Sequence, residues 1–310
     1  MQRQSPPTER VVRLLDLLAT RPRQGFALSD LARDLDMSKA TCLGIVGALS
    51  RAGYLVRHED TKTYTLGPTL VGLGRAATDA VPSLGEARPE LHRLSEDLGF
   101  AASLATLVGE DIVIVDRTGP YGELDRMIRV GQRYPYAPPS GLVLAAWLDD
   151  DGIERWLANH PLVSMDAAMS QLRALVDTCR SAGCFVERMS DVSLGALTVL
   201  AGFDGRDIPA AAGTALRNMV GSLSDRHYVQ RDLRSRRRFD VTFVAAPSYD
   251  ADGSPELLFG ALVLRSGVTR GELTSYAEAV SAAAARTTAR VGGRDPWRGV
   301  RRVPKCRVGL

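Results

Sequence analysis

The chain has few cysteines, few lysines, few aromatic residues and no long apolar run, and each shortage excludes something. Four cysteines in 310 residues, at 42, 179, 184 and 306, have spacings of neither a paired zinc site nor a disulfide framework, so free thiols are expected. The longest apolar stretches, 141–148 and 257–264, are far shorter than the ~20 residues that span a bilayer. No membrane partner is expected. The opening Met1-Gln2-Arg3-Gln4-Ser5-Pro6-Pro7 lacks the apolar core of a signal peptide, which predicts a cytoplasmic location.

Catalytic equipment is missing too. The four histidines, His58, His92, His160 and His227, are scattered and never paired at the i, i+4 spacing of a helical metal site. No Gly-x-Ser-x-Gly elbow occurs, and Gly202-Phe203-Asp204-Gly205 lacks the strand and helix of a phosphate loop. The reading is therefore a non-enzyme without metal or cofactor.

A hydrophobic fraction of 45% with 24% charged residues is that of a folded protein, and the length suits two domains. The net charge of +3 is unevenly spread. Residues 1–75 carry eleven Lys+Arg against seven Asp+Glu, residues 76–285 twenty against twenty-eight, and residues 286–310 eight against one. A basic end on an acidic body points to nucleic acid as partner of the N-terminal part.

That part carries a helical pattern. Val11, Leu14, Leu15 and Leu18 recur at helical spacing with Thr8 as N-cap; Ser29 caps a short helix containing Leu31, Ala32 and Leu35. Asp36-Met37 makes a turn, and Ser38 caps a third helix whose inward stripe is Cys42, Ile45, Val46 and Leu49, closed by Gly53. Two short helices across a tight turn lay the second in the DNA major groove. Its outward face is Lys39, Ala40, Leu43, Gly44 and Gly47, flanked by Ser38 and Thr41 at its start. Strand-like runs at 54–57 and 63–66 around a polar tip form a wing, with Arg57 and Lys62 placed for phosphates.

These residues, with Asp30-Leu31-Ala32-Arg33-Asp34-Leu35, Ser38-Lys39-Ala40-Thr41, Gly53-Tyr54-Leu55 and Tyr64-Thr65-Leu66-Gly67, resemble the DNA-binding domain of the IclR family. Family members usually carry arginine and often histidine where this chain has Gly44 and Leu43. A methyl-seeking contact and close backbone approach would then replace a bidentate guanine contact.

The body predicts a linker helix over 69–80, a helix over 83–98, strands at 101–108, 112–116, 127–130, 241–246 and 257–264, and helices at 141–148, 152–159, 167–182 and 271–290. Weaker resemblance continues through Val130-Gly131, Ser140-Gly141, Ser181-Ala182-Gly183-Cys184 and Val244-Ala245-Ala246-Pro247. It implies an α+β fold: a winged helix-turn-helix (1–67), a linker helix (68–82) and a GAF-like effector-binding domain (83–290), a mixed sheet with flanking helices. An insertion at 188–239 and a basic flexible tail at 291–310 complete the expected organisation.

The resemblance further implies a small-molecule effector beside Gly131, Ser140, Gly141, Phe243, Val263 and Arg265. Phe243 would enlarge an apolar wall, while Arg265 either offers a fork to a carboxylate or faces solvent. The implied protein is a homo-oligomeric regulator that binds double-stranded operator DNA and controls a catabolic operon in response to an organic-acid or aromatic effector. Two alternatives stay open: an effector-independent regulator, and an enzyme with an accessory winged helix.

Overall fold

The computed structural model describes residues 6–299 apart from 22, 121–127, 139–140, 159–168 and 190–237. The chain divides into two compact units, Met1–Val81 and Pro82–Leu310.

The first unit begins with α1 (Pro6–Thr20). Thr8 is therefore inside the helix and not its N-cap, because prolines at 6 and 7 fit a first turn whose N–H groups have no intrahelical acceptor. A two-residue strand, β1 (Phe26–Ala27), runs directly into α2 (Leu28–Asp34). This moves the cap position to Ala27, which bears no capping side chain, and corrects the assignment of Ser29 as the cap. Then follow α3 (Lys39–Arg51), β2 (Leu55–His58), β3 (Thr63–Leu66) and α4 (Thr69–Asp79). The strands form a sheet of order β1-β3-β2, with Arg57 opposite Tyr64 and Phe26 also opposite Tyr64. Leu14, Leu18, Phe26, Leu31, Leu35, Cys42, Val46, Leu55 and Tyr64 share the core. Along α4 no residue is buried.

The second unit is built on one sheet of order β6-β5-β4-β9-β8-β7. Its strands are β4 (Ala101–Val108), β5 (Asp111–Thr118), β6 (Arg133–Pro135), β7 (Phe185–Arg188), β8 (Phe239–Tyr249) and β9 (Pro255–Val268). The α+β class holds. Within it, a sheet expected to be mixed is antiparallel in every described pairing, because β4–β5 and β8–β9 are close hairpins with no crossover. Of the strand expected at 127–130, residues 128–130 are not in a strand; the edge beside β5 is β6, in which Tyr134 and Pro135 are buried. β7 has no counterpart among the expected strands.

Side chains alternate between two helical layers, as the two-residue period of a strand requires. On one face Ala105, Ile114, Ala245 and Leu258 pack under α6 (Leu142–Ala145), α7 (Asp150–Ala158) and α8 (Met169–Ala182). On the other Leu104, Val244, Phe259 and Val263 pack under α5 (Pro82–Leu98) and α9 (Arg270–Arg290). The helix expected over 141–148 shrinks to the single turn of α6, started by Gly141 in the left-handed region (φ 85°).

Two polar devices fix these layers. Glu90 of α5 is fully buried, accepts from Arg93 and Arg286 and is ion-paired with Arg290, the last two from α9. At the start of α9, Thr269 and Glu272 form a reciprocal capping box: Thr269 Oγ1 accepts from the Glu272 backbone, and the Glu272 carboxylate accepts from the Thr269 N–H. Of the segment 188–239, expected as an insertion, residues 190–237 lie outside the described residues. The stretch 291–299, expected as free tail, is instead bound to the body. The Gly293 N–H donates to Thr288, the Arg294 N–H to Asp250, and Trp297 Nε1 to the carbonyl of Trp147 at 3.2 Å.

Hydrogen bonds from the Thr269 backbone and hydroxyl hold the Glu272 carboxyl below the usual glutamate range. A carboxylate depressed in the folded state stabilises above its unfolded pKa and loses that contribution as pH falls through the folded value. The wild-type melting temperature is expected to drop more steeply on acidification below the ordinary glutamate range than that of Glu272→Gln, as read by thermal melts across an acid pH series.

Candidate nucleic-acid interface and effector layer

The helix-turn-helix is built from local rules. Asp36 takes a left-handed conformation (φ 49°) that its short polar side chain tolerates, turning the chain between α2 and α3. Ser38 caps α3: its Oγ accepts from the Thr41 N–H at 3.1 Å and lies 2.9 Å from Thr41 Oγ1. At the other end Tyr54 N–H donates to Leu49 and Gly53 N–H to Ser50, a Schellman closure with Gly53 at φ 75°. Gly67 donates to the Tyr54 carbonyl at 2.7 Å, and a Cβ there would collide with the backbone of Gly53 and Tyr54. The wing's base and the end of α3 are therefore one clamp.

This clamp turns Cys42 and Val46 inward and leaves Lys39, Ala40, Leu43 and Gly44 in solvent, with Thr41 and Gly47 half-buried. Leu43 keeps 55% of its surface exposed, far more than its neighbours on the inner face. Above Gly44 nothing lies within 4 Å of an added Cβ, so another surface can approach the backbone there. The wing cations are already engaged: Arg57 Nη1 donates to both Glu59 oxygens (2.8 and 3.1 Å), and Lys62 Nζ is 3.7 Å from the same carboxylate. Glu59 is a functional candidate that the sequence reading missed, because the turn that folds it back was treated only as a polar tip.

The six expected effector residues are not brought to one place. Gly141 and Phe243 belong to the α6–α8 face, where Phe243 covers Gly260 of the next strand so closely that a Cβ would enter its ring. Val263 lies on the opposite face, under α5 and α9. Arg265 is half-exposed, donating to Tyr276 Oη at 2.8 Å and paired with Glu272 at 3.4 Å. Gly131 is exposed, and Ser140 lies outside the described residues. The cause of the split is local: Val241 pairs with Arg265 but Phe243 with Leu262, so Val263 and Leu264 stand opposite the single Thr242, and Leu264 takes φ 45°. Such a bulge reassigns faces beyond it. Val263 and Arg265 are thereby corrected out of the effector set.

On the α6–α8 face the sequence reading also missed two residues. Tyr136, against which Gly141 packs, and Trp156 of α7 are 9% and 3% exposed, with ring centroids 6.2 Å apart. Among the described residues, Tyr136 Oη and Trp156 Nε1 have no hydrogen-bond partner. Burial pushes the Tyr136 hydroxyl up to about 12, so it stays a donor at any ordinary pH. Two donors left unpaired in an apolar layer are costly unless an acceptor arrives. A cleft of about 390 Å³ lies elsewhere, between β8, α9 and residues 293–298, and none of the six expected residues lines it. Two of its hydroxyls, Ser281 and Thr288, already donate to backbone carbonyls, and Arg294, Asp295 and Arg298 line its rim.

The model of the IclR helix-turn-helix domain matches residues 7–59, and that of the bacterial transcriptional regulator IclR C-terminal domain matches residues 76–192. The Pca regulon regulatory protein of Pseudomonas putida is 27% identical over 184 residues, 57% of this chain and 62% of its own length. The chain thus spans about six-tenths of that relative. Among solved structures, an IclR transcriptional regulator from Alicyclobacillus acidocaldarius shares the fold with TM-score 0.67 at 20% identity, covering 94% of this chain and all of its own. An IclR homolog from Microbacterium hydrocarbonoxydans, solved with 4-hydroxybenzoate, has TM-score 0.58 at 19% identity, covering 92% and 98%. The matched families and relatives are transcriptional regulators and not enzymes.

Removal of the cap tests how α3 is held. Ser38→Ala is expected to cost about 1 kcal/mol of stability while Ser38→Asp retains it, as measured by denaturant melts.

Proposed function

Because the chain belongs to the IclR family of bacterial transcriptional regulators, we propose that it binds operator DNA through its winged helix and controls a catabolic operon in response to a small organic effector. The observation that carries the DNA-binding reading is the outer face of α3, an exposed stripe of Lys39, Ala40, Leu43 and Gly44 continued by the half-buried Gly47, on a helix clamped at both ends. Lys39 supplies a phosphate or base contact, and Leu43 packs on thymine methyl groups that Gly44 and Gly47 let approach. One such helix and one wing meet few phosphates, so a homo-oligomer presenting two of them to paired half-sites in the cytoplasm completes the reading.

The effector is held in the layer between the sheet and α6–α8. Tyr136 Oη and Trp156 Nε1 are the donors, with Phe243 as aromatic wall. This chemistry suits an aromatic compound carrying oxygen acceptors, and the complex of a relative with 4-hydroxybenzoate supports the same class. An effector alters DNA binding to the extent that it favours one arrangement of the oligomer over another.

Selection of bound fragments from the source genome, followed by anisotropy titrations, tests the first half. Lys39→Ala is expected to weaken all duplexes and lower the salt slope by about one, whereas Leu43→Ala changes sequence preference and leaves the slope. Binding of no duplex above the non-specific level at physiological salt would refute the reading.

For the effector, Tyr136→Phe removes no existing hydrogen bond, so the melting temperature should hold within about 0.5 kcal/mol of stability. The midpoint increase given by a panel of aromatic acids should shrink. If no compound of any class raises the wild-type midpoint, the regulator is effector-independent.

A further inference from the structure

We propose that Glu59 sets the operator selectivity of the wing by holding its two cations away from sequence-independent phosphate contact. The inference rests on the DNA-binding reading above and concerns a residue that lies outside the recognition helix.

The first 75 residues carry a formal excess of four positive charges, yet the wing tip carries none of it. From the end of β2 to the start of β3, Arg57 and Lys62 are balanced by Glu59 and Asp60. The balance is geometric as well as numerical. One Arg57 nitrogen spans both Glu59 oxygens at 2.8 and 3.1 Å, and Lys62, turned back at φ 56°, brings its ammonium to 3.7 Å of the same group. All three side chains are open to solvent, at 42%, 69% and 68% for Arg57, Glu59 and Lys62, so a phosphate can reach them.

An exposed pair of this kind is worth only a fraction of a kcal/mol to about 1 kcal/mol, so it decides little about stability and much about exchange. On a random duplex each cation that turns to phosphate must leave Glu59, and it strands that carboxylate beside the phosphates. The net gain is small. On the operator the contacts of α3 already hold the wing against the backbone, and the exchange is made at no further cost of association. Glu59 therefore lowers random binding more than operator binding. A carboxylate that merely added negative charge, or merely stiffened the turn, would not discriminate between the two.

A double-mutant cycle of Glu59→Gln with Arg57→Gln separates these roles. Affinities are read by anisotropy over several salt concentrations on the duplex recovered by the wild-type protein and on a scrambled duplex of the same length. Glu59→Gln is expected to tighten scrambled DNA about tenfold and the recovered duplex about twofold, with a steeper salt slope on the former. Arg57→Gln should weaken scrambled binding less than about twofold in the wild-type background and about fivefold beside Gln at position 59. Glu59→Asp, which keeps the charge but shortens the reach, should expose the same Arg57 dependence. Equal tightening of both duplexes with an additive cycle overturns the proposal while leaving wild-type operator binding intact. Failure of the wild-type chain to bind any duplex overturns the regulator reading and this inference together.

Discussion

A carboxylate with no access to water, that of Glu90, ties the first helix of the second unit to its last. Three arginines reach it, and each keeps roughly half of its surface in solvent. The cations are not buried with the acid: their side chains stay partly hydrated while the carboxylate, removed from water, accepts hydrogen bonds from Arg93 and Arg286 and pairs with Arg290. Replacing it by an apolar side chain would suit the packing but would lose the angular choice that three forked donors impose on α5 against α9. Both helices cover the same face of the sheet, so that choice also fixes which side chains of β4, β8 and β9 are enclosed.

Enclosure on both faces is the second consequence. A six-stranded antiparallel sheet with water on one side alternates polar and apolar residues, whereas here β8 is buried almost throughout and β9 continuously from Leu257 to Val263. A near-continuous apolar run reads equally well as a strand buried in a parallel sheet. That is why strand existence was legible while strand direction was not. β1, at two residues, and β6, at three, are too short to show any period, and β7 is an edge strand lying beside a segment that resembled an insertion.

The winged helix was legible in nearly all its parts because its rules are local: a serine cap, a left-handed aspartate, a glycine closure. The misplaced caps at Thr8 and Ser29 came from choosing the nearest hydroxyl where proline and a preceding strand set the boundary. The expected effector residues are dispersed for the opposite reason. They were carried over along β9 by position, and a single extra residue in the ladder sends Val263 and Phe243 to different layers. No local pattern marks that bulge. Nor does any periodicity announce that Tyr136 and Trp156 meet no acceptor among the described residues, since that depends on what α6 and α7 leave around them.

The clamp at the two ends of α3 also says something about descent. Ser38, Gly53 and Gly67 hold the helix by its termini and by the wing's base, and none of them depends on what the middle of the helix displays. Positions 39, 40, 43, 44 and 47 can therefore diverge as fast as their targets do, without a debt of folding energy. In a lineage of such proteins the scaffold residues should be the slow clock and the displayed ones the fast clock, so that kinship is recorded at the ends of the helix and livelihood in its middle.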